Sequence, residues 1–163
     1  MGSARLVPRG RVMSTAYTHE DLDTWQLAEE LKELVFAFTA KPDVERHRDF
    51  CDDIERSARS APANISEGFY RIRPREHAHF LRIALASLGE TKNHLTHARK
   101  RRYIDAQEFE TMWRLASRAI GAGKRLLEYL MTCPPDRPFK FNPKARRTRE
   151  PRTGTPEPKN QNP

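Results

Sequence analysis

Between Met13 and Cys133 the chain holds only three prolines, Pro42, Pro62 and Pro74, and four glycines, Gly68, Gly89, Gly121 and Gly123. Punctuation this sparse permits long helices and leaves little room for the frequent turns of an all-β domain. Eight of the twelve prolines instead lie from Pro134 onward. The formal charge of +8 follows the same partition. Residues 13–133 carry 19 basic and 19 acidic side chains, so the whole excess sits on the two ends of the chain. A uniformly basic, histone-like body is thereby excluded, and nucleic-acid binding has to come from local clusters or from the end segments.

The opening residues include Leu6-Val7-Pro8-Arg9-Gly10, which resembles a thrombin site left by an expression vector. Residues 1–12 are therefore expected to be a tag remnant, with Met13 as the native start. Residues 134–163 are rich in Pro, Lys, Arg, Thr and Asn, with Phe139 and Phe141 as the only large apolar side chains. Such a segment buries too little surface to offset its ordering entropy, so a disordered, Pro-rich basic tail is expected there. Cys51 and Cys133 are too few and too distant for a zinc knuckle or a disulfide framework, and a reducing cytoplasm is the default setting. No run approaches the roughly 20 apolar residues that span a bilayer.

Four amphipathic segments fill residues 13–133. The first is marked by Leu27, Leu31, Leu34 and Phe38, with Asp21, Asp23 and Thr24 as capping residues and Lys41-Pro42 as its stop. The second is expected from about Val44, with Phe50, Ile54, Ala58, Ala61, Ile65 and Phe69 on one face and Gly68 loosening its end. The third starts at Pro74 and runs to about Arg102, and Asp105-Ala106-Gln107-Glu108 reads as a capping box opening the fourth. That last helix carries Phe109, Trp113, Ala116, Ile120, Gly123, Leu127 and Leu130 as its main seam, with a second seam at Met112, Ala119, Leu126 and Tyr129. Short links between four such segments predict an all-α, antiparallel up-down-up-down four-helix bundle. Phe80–Leu88 is apolar nearly all round, and the double seam of the fourth helix adds to it, so a homo-oligomer is expected to cover the surplus.

Pro62 sits inside the second helical pattern, where it removes a donor and crowds the carbonyl of Ala58, so a kink is expected. Asp53, Ser57, Ser60, Asn64 and Glu67 recur at spacings of 4, 3, 4 and 3 as a polar stripe. The stripe reads as a hydrogen-bonded network fixing helix register, with a ligand surface as the alternative.

Glu76-x-x-His79 is half of a bundle di-metal motif with no second half, and Glu90, His94 and His97 share a face that is more often solvated than metal-bound. With no phosphate loop, nucleophile elbow or Cys-His pairing, neither enzyme activity nor a metal or cofactor is expected. The basic clusters are more informative. Arg71, Arg73 and Arg75 lie at the link between the second and third helices, and Arg99, Lys100, Arg101 and Arg102 close the third beside Tyr103. In an antiparallel bundle they occupy opposite ends. With Lys144, Arg146, Arg147 and Arg149 of the tail they form the candidate nucleic-acid surface, for RNA or DNA.

Asp23-Thr24-Trp25-Gln26-Leu27-Ala28, Ser60-Ala61-Pro62-Ala63-Asn64-Ile65-Ser66-Glu67-Gly68 and Ser87-Leu88-Gly89-Glu90 together resemble the bacterial four-helix bundle proteins typified by the 23S rRNA intervening-sequence protein. The resemblance covers about Asp21 to Leu130 and makes Pro62, Asn64, Glu67 and Gly68 structural motif residues. It implies a four-helix bundle, assembly as a homopentamer, no known catalytic activity and an association with RNA or ribosomes. The accessory proteins of diversity-generating retroelements are similar in fold, form basic pentamers, and bind nucleic acid and a reverse transcriptase. Two functions follow: an RNA or ribonucleoprotein accessory module, or a protein scaffold holding a partner polypeptide such as a reverse transcriptase on its outer helices.

Overall fold

The computed structural model describes residues 16–135. Lys144, Arg146, Arg147 and Arg149, and the expectations for the tag and for most of the tail, lie outside the described residues. A 3-10 turn, His19–Asp21, leads into α1 (Asp23–Thr39), a one-turn α2 (Pro42–Glu45), α3 (Arg48–Phe69), α4 (Pro74–Arg101) and α5 (Ala106–Thr132). There is no strand among the described residues.

The four long helices pack as a square in the order α1, α3, α4, α5, each touching the next and α5 closing on α1. Neighbours run antiparallel. Phe38 at the end of α1 meets Phe50 at the start of α3, with ring centroids 6.3 Å apart. Phe50 also meets His97 near the end of α4, at 5.8 Å. Thr24 at the start of α1 donates a 3.1 Å hydrogen bond to the carbonyl of Ala119, midway along α5, and Lys41 just past the end of α1 pairs with Glu108 in the first turn of α5. Buried Leu31, Val35, Phe38, Ile54, Ile65, Leu81, Leu88, Leu95, Leu126 and Leu130 fill the centre.

The helical pattern differs from the sequence expectation in four places. In α1 the core stripe is Ala28, Leu31, Val35 and Phe38, while Leu27 and Leu34 are half-buried on its flank. Thr24 is spent on the α5 contact, and Asp21 accepts from the Tyr17 and Thr18 amides, so Leu22 caps α1 without a side-chain bond. The second helix is broken near its start. Pro42 opens the separate turn α2, and His47, with φ −95 and ψ 60, leaves helical geometry before α3 begins. In α5 the buried residues are Met112, Leu115, Ala116, Ala119, Ala122, Gly123, Leu126 and Leu130. Phe109, Trp113, Ile120 and Leu127 are the half-buried flank. The seam of strictest spacing is thus one edge of the apolar arc, and the second seam lies nearer its middle. Gly68 does not loosen α3. A Cβ there would stand 2.9 Å from Phe80 Cβ and 3.0 Å from His77 Cδ2, so glycine allows α3 and α4 to approach closely.

α3 runs through the buried Pro62 as one helix. The polar stripe beside it is used for packing. Ser57 and Thr91 hydroxyls lie 3.0 Å apart, and those of Ser60 and Ser87 2.8 Å apart, pairing α3 with α4. Asn64 donates back to the Ser60 carbonyl at 2.8 Å and to its hydroxyl at 3.1 Å. Asp53 and Glu67, at the stripe's ends, form ion pairs with Arg56 and Arg71.

Candidate nucleic-acid interface

A helix of 28 residues is about 42 Å long, and α4 holds the two arginine clusters at its opposite ends. At its C-terminus Arg99, Lys100, Arg101 and Arg102 are all exposed. Arg102 has φ 60 and ψ 30, the left-handed conformation that lets the chain leave the helix. The Tyr103 amide donates to the Ala98 carbonyl at 2.9 Å and Ile104 is buried below, which is the Schellman arrangement with arginine in the usual glycine place. Cations here also face the negative end of the helix dipole. Tyr103 is half-buried and stacked on His47, with centroids 4.2 Å apart, so one ring face is covered. Lys41, Arg46 and Arg48 are exposed on the neighbouring α1–α3 connection, and Lys41 is paired with Glu108.

At the other end Tyr70-Arg71-Ile72-Arg73 links α3 to α4, and Pro74 at the first position of α4 keeps Arg73 extended, with φ −99 and ψ 133. Arg71 is committed to Glu67 and lies over the Phe80 ring, 4.8 Å from its centroid. Arg73 and Arg75 are exposed, with no ion-pair partner among the described residues. The exposed Tyr70 and Ile72 in the same turn were not singled out from sequence. An aromatic and an aliphatic residue interleaved with three arginines was the available signal.

Averaging charge over residues 13–133 hid a polarity that the fold makes spatial. Asp23–Phe69, which supplies α1 to α3, holds eleven acidic and six basic residues, and Pro74–Thr132 holds eleven basic and six acidic. Because α1 and α3 occupy one side of the square and α4 and α5 the other, the acidic and basic halves face opposite ways. Four of the eleven basic residues are the run Arg99 to Arg102.

The remaining chemistry is sparse. The groove between α1 and α5 sets Asp23 and Glu30 opposite Arg118 and Arg125, and no histidine or cysteine lines it. Glu90 and His94 approach to 3.8 Å, too long for a hydrogen bond, while His97 packs on Phe50. No group of three or more His, Cys, Asp or Glu among the described residues is placed to hold a metal ion. Glu76 and His79 instead line a shallow hollow with Arg71, Arg75 and Phe80. Cys51 is buried, its Sγ 3.4 Å from the Val44 carbonyl, and burial pushes its thiol pKa up. Cys133 lies past the end of α5, at the other end of the bundle, and both thiols are free. No described helix is long and apolar enough to cross a membrane.

The model of the 23S rRNA-intervening sequence protein family matches residues 20–121, more than half of the chain. The chain belongs to this family. The matched span takes in the link with Arg71, Arg73 and Arg75, the close approach at Gly68 and the Arg99–Arg102 run. A search of curated proteins found no match.

Proposed function

We propose that this protein is a non-enzymatic, oligomeric accessory module of RNA or a ribonucleoprotein, binding nucleic acid through basic clusters at the two ends of its bundle. The observation that carries the reading is the placement of exposed arginines at both ends of α4 in a member of the 23S rRNA-intervening sequence protein family. Guanidinium and ammonium groups at helix ends gain binding energy from phosphates by releasing condensed counterions, without needing a shaped pocket.

The oligomer is part of the same proposal. Ile83 on α4 is 38% exposed, and Phe109, Trp113, Ile120 and Leu127 keep a half-buried apolar flank on α5. A second copy would cover such surface, and the subunit number five comes from the family resemblance alone. A cytoplasmic setting belongs with an RNA partner. Nucleic acid carried through purification, seen as a raised 260 nm absorbance and removed by ribonuclease, tests the reading. Light scattering on the same sample should give a multiple of the 19.0 kDa chain mass. Clean protein that ignores added RNA at low salt would favour the scaffold for a partner polypeptide.

A further inference from the structure

The two basic ends of the bundle differ in what accompanies their charges. Beside Arg99 to Arg102 the nearest aromatic ring, Tyr103, is half-buried and stacked on His47. In the α3–α4 turn Tyr70 is 64% exposed and Ile72 67% exposed. Tyr70 is also held in place. Its hydroxyl lies 3.2 Å from His19 Nδ1, the His19 ring meets it edgewise at 5.6 Å, and Phe69 meets it at 5.5 Å and 88°. Fixing an exposed ring in advance lowers the entropy lost when something stacks on it. Arg73 and Arg75 stand exposed within five residues of that ring, without ion-pair partners among the described residues, while Arg71 is held by Glu67 and Phe80.

We propose that this turn is a stacking platform for single-stranded nucleic acid, in which the open face of Tyr70 takes an unpaired base and Arg73 and Arg75 take flanking phosphates. The inference rests on the nucleic-acid reading above and adds the class of strand. A duplex keeps its base faces stacked inside and offers Tyr70 only its backbone and groove edges, whereas an unpaired base presents a full π-face. Ile72 lies between Arg71 and Arg73 and gives the same strand an apolar contact. Arginine suits the phosphate positions because its planar fork can donate two parallel hydrogen bonds.

The test uses the full chain and fluorescently labelled oligonucleotides of one mixed sequence, as single-stranded RNA, single-stranded DNA and RNA duplex, with affinity followed by anisotropy over several salt concentrations. Tyr70→Ala should weaken single-strand binding roughly tenfold, as for loss of one stacked base, with an unchanged salt slope. Duplex affinity should not change, and Tyr70→Phe, which loses the hydroxyl contact with His19 but keeps the ring, should bind single strands far better than Tyr70→Ala. Arg73→Gln with Arg75→Gln should lower the single-strand slope of log affinity against log salt by about 1.4. The RNA and DNA arms tell whether the sugar hydroxyl contributes. Wild-type affinity in Tyr70→Ala, or an equal loss on duplex, overturns the platform and leaves the nucleic-acid reading standing. A change in assembly mass on Tyr70→Ala overturns it by making the patch a contact between copies. No binding by the wild type to any oligonucleotide overturns both.

Discussion

Two residues hold conformations or environments that ordinary side chains resist. Arg102 occupies left-handed backbone, where a Cβ costs roughly 1 kcal/mol relative to glycine. Arg102→Gly should therefore stabilise the bundle by about that amount, read as a higher denaturant midpoint with an unchanged m-value. A lower midpoint would mean that the arginine side chain contributes more to this helix end than its backbone costs. His77 is 2% exposed and packs beside Phe69, and burial lowers its pKa from the ordinary 6.5 to about 4. The unfolded chain then takes up a proton at a pH where the folded chain does not. The His77 contribution is fully present above pH 6.5 and is lost as the pH falls toward 4, by up to about 3 kcal/mol. His77→Leu should flatten that part of the stability curve in denaturant titrations between pH 7 and 4. Equal slopes for variant and wild type would contradict a neutral buried imidazole.

Glycines in helices separate packing from propensity at the scale of the element. Gly68→Ala pushes a Cβ against Phe80 Cβ, a position close to the α4 backbone, and should destabilise by about 1–3 kcal/mol despite its better helix propensity. Gly89 meets nothing within 4 Å, and Gly89→Ala should stabilise by about 0.5–1 kcal/mol. Thermal unfolding of the two variants should move in opposite directions, and a shared direction would contradict the α3–α4 packing. The four long helices, the Pro74 start and the Asp105 cap were legible in the sequence, because prolines, caps and apolar spacing act locally. The Asp105 carboxylate does accept from the Glu108 amide, at 2.8 Å. The rotation of α1 and α5 was less legible. In each helix apolar residues cover more than the buried arc, and only neighbours such as Ala119 opposite Thr24 decide which edge turns inward. The break at His47 was hidden for a similar reason, since buried Val44 continues the apolar pattern across it. For Tyr70 the interleaving with arginines marked the segment, but not that the ring stands open, because exposure depends on how the two helices leave their turn.

For the whole molecule the arrangement that matters is a bundle with an acidic α1–α3 side, a basic α4–α5 side, and arginines concentrated at its two ends. Clusters separated by the length of α4 act as independent phosphate contacts, so their effects on binding should add. The most direct test compares RNA affinity across salt concentrations for the wild type and for a variant in which five of the seven basic side chains at the two ends are replaced. The variant carries Arg73→Gln, Arg75→Gln, Arg99→Gln, Lys100→Gln and Arg101→Gln, all exposed positions away from the core. With five phosphate contacts removed, the slope of log affinity against log salt should fall by roughly 3.5 on single strands, and low-salt affinity should drop with it. An unchanged slope, or a wild type that binds no RNA at low salt, would contradict the account.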